Sequence, residues 1–104
     1  MHLILSPVAG LPGQPETSLR VSGDVLIADG TAFDFSAVPE GGETHPEGIH
    51  PFEGPVTRQG GRLHATVRVI LGPDAAPDQP LDWAHWTVPF ASGEVEIPAL
   101  REGF

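Results

Sequence analysis

The chain has 104 residues, no cysteine, and 14 acidic against 5 basic side chains, for a formal net charge of −9. That length makes one domain around one core. The missing cysteines exclude disulfides and thiolate metal sites, and the acidity works against binding of nucleic-acid phosphates or anionic membranes. No apolar run reaches the ~18 residues of a membrane span, and the start (Met1 to Pro7) lacks the basic region and long apolar core of a signal peptide.

Proline (12) and glycine (13) fall between short apolar runs, where an all-β domain puts its turns. Residues 2–6 read as a first strand stopped by Pro7. Residues 7–16, dense in proline and glycine, read as a loop, because proline removes a donor and restricts the residue before it. Ser18 to Ser22 alternates, with Leu19 and Val21 on one face, as a half-buried strand does. Gly23-Asp24 turns the chain into Val25 to Ala28, an unbroken apolar run expected to be covered on both faces.

Asp29-Gly30 between apolar runs is a strong hairpin signal, since a type I′ turn needs positive φ at both central residues. Phe33 and Phe35 then point inward, completing a three-strand meander. Asp34, between them, is expected to hydrogen-bond a neighbouring turn.

Residues 39–55 form a long irregular connection, with Ile49 and Phe52 expected to pin it to the core. Val56 to Gln59 and Arg62 to Leu71 make a hairpin across Gly60-Gly61. The second of these strands carries Leu63, Ala65, Val67, Val69 and Leu71 on one face. Residues 72–81 are a further proline-rich loop. Trp86, Val88 and Phe90 alternate, with Pro89 marking an edge strand. Val95 and Ile97 return after a turn, and Arg101 to Phe104 reads as a frayed tail.

No segment has helical periodicity. The expected fold class is therefore all-β: one domain, a β-sandwich or open barrel of seven to eight short antiparallel strands joined by hairpins. Edge strands leave self-association open.

The polar residues carry little chemistry. His45 and His50 share an acidic loop with Glu43 and Glu47, a mixture able to ligate a divalent ion. However, two histidines five residues apart on a Pro/Gly loop match no metal signature, and a solvated loop is the better reading. No cofactor is called for. His64 and His85 read as outward positions on or beside strands. There is no nucleophile elbow and no phosphate-cradling loop, so the chain reads as a non-enzyme. Trp86 reads as core. Trp83, in a proline-rich loop, is a candidate contact residue, and with the acidic residues 40–53 it would serve protein contact or, alternatively, small-molecule or carbohydrate binding. The candidate binding residues are thus Glu43, His45, Glu47, His50 and Trp83.

The stretch Gly23-Asp-Val-Leu-Ile-Ala-Asp-Gly-Thr-Ala-Phe-Asp-Phe-Ser-Ala-Val-Pro-Glu-Gly-Gly42, with Gly54-Pro-Val-Thr-Arg58 and Gly61 to Arg68, resembles a group of small all-β proteins. These are encoded in tail-gene clusters of proteobacterial phages and prophages. The group's core reads GDxLxIxGxxFDFSxxPxG, matched here at Gly23, Asp24, Leu26, Phe33, Asp34, Phe35, Ser36, Pro39 and Gly41, with the Leu-x-Ile spacing altered. The likeness covers roughly residues 20 to 71, and its motif consists of structural residues, so no catalytic residue carries over. The resemblance implies a tail accessory or minor structural protein, contacting other tail proteins, in the host cytoplasm or on the virion.

Overall fold

A computed structural model describes residues 1–11, 13–76 and 78–101, and every regular element among them is a strand. In chain order these are β1 (His2–Ala9), β2 (Leu19–Ser22), β3 (Val25–Ala28), β4 (Thr31–Asp34), β5 (Glu43–Thr44), β6 (Val56–Gln59), β7 (Arg62–Leu71), β8 (Thr87–Val88) and β9 (Gly93–Val95). They form two sheets, one ordered β5-β6-β7-β1-β8 and the other β4-β3-β2-β9. No helix among the described residues is long and apolar enough to cross a membrane.

The local hairpins form as their turn residues dictate. Asp29 and Gly30 take φ of 49° and 83°, closing β3 onto β4 with Ala28 opposite Thr31. Positive φ at two consecutive positions is what selects Asp-Gly for this turn. Gly60 and Gly61 do the same between β6 and β7. Their two N–H groups converge on the carboxylate of Glu40, which fastens the turn to the segment after β4. Asp34 accepts a hydrogen bond from the Ser36 N–H at 2.9 Å, and this holds its carboxyl below the usual carboxylate range.

Strand β7 is buried at alternate positions, and its partners are drawn from distant parts of the chain. On one side it pairs with β6, then with the bridge from Phe52 to Val67, then with Thr17. Thr17, which is buried, donates its N–H to the Ile70 carbonyl at 3.0 Å and accepts the Ile70 N–H on Oγ1 at 2.7 Å, so one residue does the work of a strand end. On its other side β7 pairs with β1 over eight residues, in parallel, from His2 opposite His64 to Ala9 opposite Leu71.

That parallel pair corrects the expectation of hairpin-joined antiparallel strands, and the described residues hold nine strands rather than seven or eight. Pro7 does not stop β1. Leu5 donates its N–H outward to the Trp86 carbonyl at 2.8 Å, and backbone groups alternate sides along a strand. The nitrogen of Pro7 therefore faces away from β7, where no ladder bond needs it. The expected loop at 7–16 accordingly begins at Gly10. The 39–55 connection is not wholly irregular either, since it holds β5 and the Phe52 bridge.

Leu3, Leu5, Leu19, Leu26, Val67 and Trp86 belong to one buried cluster fed by both sheets. Phe52 stands edge-on to Phe33 and Phe35, at 5.0 and 5.2 Å between ring centroids. Three further expectations fail here. Ile49 is fully exposed and pins nothing; Phe52 alone does so, because its backbone is bridged to Val67. Phe90 is 72% exposed, because β8 ends at Val88 and the ring instead lies under the Arg62 guanidinium, 4.3 Å from its centroid. Val25 and Ile27 are only half-buried, so β3 is fully covered on one face alone.

Arg101 is not frayed. It bridges to Ala75 and pairs with Glu16 and Asp74, and the hydrogen bonds it donates to the Glu16 carboxylate raise its pKa. The remainder of the expected tail, 102–104, lies outside the described residues.

Candidate functional site

The five candidate binding residues do not form one site. Glu43 lies in β5 and His45 follows it, with Nε2 and Oε2 3.7 Å apart in an exposed pair. Glu47 is exposed. His50 turns back on its own loop, where Nδ1 accepts the Phe52 N–H at 3.1 Å. That bond takes up one ring nitrogen of His50. Among the described residues no three metal-ligating side chains gather. All four of these residues belong to the connection that carries edge strand β5, whereas Trp83 precedes β8 on the opposite edge of the same sheet. Five strands at ~4.8 Å spacing put roughly 19 Å between those edges.

The tryptophans divide as their local chemistry predicts. Trp86 is 2% exposed, and its indole N–H reaches the Pro80 carbonyl at 2.9 Å, satisfying the one polar atom of a core-filling ring. Trp83 is 57% exposed. Its turn is held by Asp82, whose Oδ1 accepts the Ala84 N–H, and by Thr87, whose hydroxyl donates to the Trp83 carbonyl.

One concavity involves residues that sequence reasoning passed over. A groove of about 770 Å³ runs between the end of β1 and the connection after β7. Pro7, Ala9 and Leu11 line one side, and Leu71, Pro80 and Leu81 the other. Leu11 and Leu81 stand exposed there. Gln79 braces the connecting wall, because its side chain both donates to and accepts from the backbone of Leu100. The only sequence signal for this groove is the pair of lone leucines in proline-rich segments, which alternation analysis ignores.

A second constellation was also missed. His2 and His64, described above as opposite residues of β1 and β7, bring their rings to 4.9 Å between centroids.

No family model matches the chain, and neither does any curated protein or solved structure.

Proposed function

We propose that the chain is a non-catalytic accessory or minor structural protein of a phage or prophage tail, its two open sheets forming a β-sandwich that works by contact with other tail proteins. The tail context rests on the resemblance over residues 20 to 71. The observation that carries the contact role is the groove rim, where Leu81 is 97% exposed beside Leu11 and the groove's proline walls. A gathered apolar surface of this kind marks protein contact sites. The acidic residues Glu43 and Glu47 at the other sheet edge would give a second, charged contact.

Co-expression with the tail proteins encoded beside its own gene tests this reading. One of them is expected to co-purify, and Leu11→Asp with Leu81→Asp to break that complex while leaving Tm unchanged. If none of those products binds, or the double variant keeps its partner in full, the reading is wrong.

Exposure of Trp83 supports a second reading, a small-molecule or carbohydrate-binding module. Titration with oligosaccharides would then change the fluorescence of Trp83 and not of a Trp83→Ala variant. An indole emission that acrylamide cannot quench would rule it out.

A further inference from the structure

Of the five histidines, His50 and His85 spend a ring nitrogen on backbone partners, Phe52 and Pro98 respectively, and His45 faces Glu43. His2 and His64 are different. Among the described residues neither ring makes a hydrogen bond to protein, and the two lie side by side, far apart in sequence but opposite each other in register. We propose that His2 and His64 form a two-imidazole site for a late first-row divalent ion such as Ni²⁺, Cu²⁺ or Zn²⁺.

The geometry suits the chemistry. With metal–nitrogen bonds of about 2.0–2.1 Å and an imidazole radius of about 1.1 Å, two rings held on one ion at roughly 90–110° have centroids about 4.5–5.2 Å apart. The observed separation is 4.9 Å, with the planes tilted by 32°. Imidazole nitrogen is the ligand these ions favour.

The backbone fixes the pair. β1 and β7 are flanked on their outer sides by β8 and β6, and the eight-residue register leaves neither histidine free to slide. Ligands held in place before the ion arrives lose less freedom on binding. The rings border a depression of about 200 Å³ that Thr57 and Thr66 also line, giving hydroxyls within the same hollow. Partial burial, with the charges of His64, Arg62 and the amino terminus nearby, lowers the His2 pKa. Arg62 and the amino terminus oppose a cation, and both are engaged elsewhere, the guanidinium by the Phe90 ring and the Pro89 carbonyl and the amino group by the Ala91 carbonyl. The overall charge of −9 favours cation approach.

The test uses the full chain stripped with EDTA and titrated with NiCl₂ and with CuSO₄, by calorimetry and by Tm. One ion per chain is expected, with Tm rising in proportion to the logarithm of ion concentration above Kd. Copper EPR should show two nitrogen ligands. His64→Ala, and separately His2→Gln at the start of β1, should each weaken binding by about a hundredfold, because either change converts a chelate into a single ligand. His45→Ala with His50→Ala should leave binding intact. A flat titration at millimolar ion overturns the proposal. So does binding that survives in His2→Gln, or that is lost with His45 and His50.

Discussion

Arg58 in β6 and Asp24 in the β2–β3 turn stand 3.0 Å apart, Nη2 to Oδ2, and tie one sheet to the other. The same guanidinium donates from Nε to the Val38 carbonyl at 2.6 Å and from Nη2 to the Phe35 carbonyl at 3.4 Å. The Arg58 side chain is 15% exposed and that of Asp24 41%. The arginine therefore matters more than the ion pair, since a half-exposed pair is screened. Arg58→Ala is expected to cost about 1.5–3 kcal/mol by stranding charged and carbonyl partners. Asp24→Ala should cost about 1 kcal/mol or less. Denaturant melts of the two variants check the asymmetry; equal losses would contradict it.

Phe52 and Ile49 share one loop and differ completely in what they touch. Phe52→Ala should destabilise by about 3–5 kcal/mol, since it opens the contact with Phe33 and Phe35. Ile49→Asp should fall within about 0.5 kcal/mol of the parent. For a domain of this size each kcal/mol moves Tm by about 4–8 °C, so thermal melts separate the two clearly.

These two residues also show what the sequence could and could not disclose. Hairpins close over two residues, so Asp29-Gly30 and Gly60-Gly61 announce themselves, and the ten-residue alternation of β7 is legible because its period is local. Ile49 and Phe52 look equally apolar in the chain. What distinguishes them is the bridge to Val67, a partner no local pattern names. The pairing of His2 with His64 is hidden for the same reason. Trp83 and Trp86 could be told apart, because Trp86 leads directly into β8 in step with Val88. Phe90 could not, because a cation reaching over from Arg62 accommodates it outside the core.

Pro7 guards the open side of β1 beyond Leu5. Unpaired N–H groups on an edge invite a second chain to add a strand, and proline withholds one. Pro7→Val should keep the fold, within about 1 kcal/mol, and introduce concentration-dependent self-association. Sedimentation velocity would show it; a variant that stays monomeric at every concentration would mean that another feature protects the edge.

Stability in EDTA-containing buffer should depend on His2. Its folded pKa lies below the unfolded value of 6.5 through burial first, then through His64, Arg62 and the amino terminus. The unfolded chain therefore binds more protons, and stability must rise with pH across that interval. The contribution is complete above pH 6.5 and is lost as pH falls through the folded pKa of His2. His2→Gln should flatten this part of the profile, measured by urea midpoints between mildly acid and neutral pH. An unchanged slope would show that other groups set it.

The parallel seating of β1 against β7 bears on the order of folding. The β2–β3–β4 and β6–β7 hairpins join neighbours in sequence and can close within microseconds. β1, made first, has no partner strand until β7 and β8 have left the ribosome. Its pairing with β7 and β8 closes long loops, the kind of contact that slows folding. Among the described strands, β1 therefore waits longest for its first partner. During that interval an apolar segment, Leu3-Ile4-Leu5, waits exposed. Disruption of β1 should accordingly slow folding as well as speed unfolding.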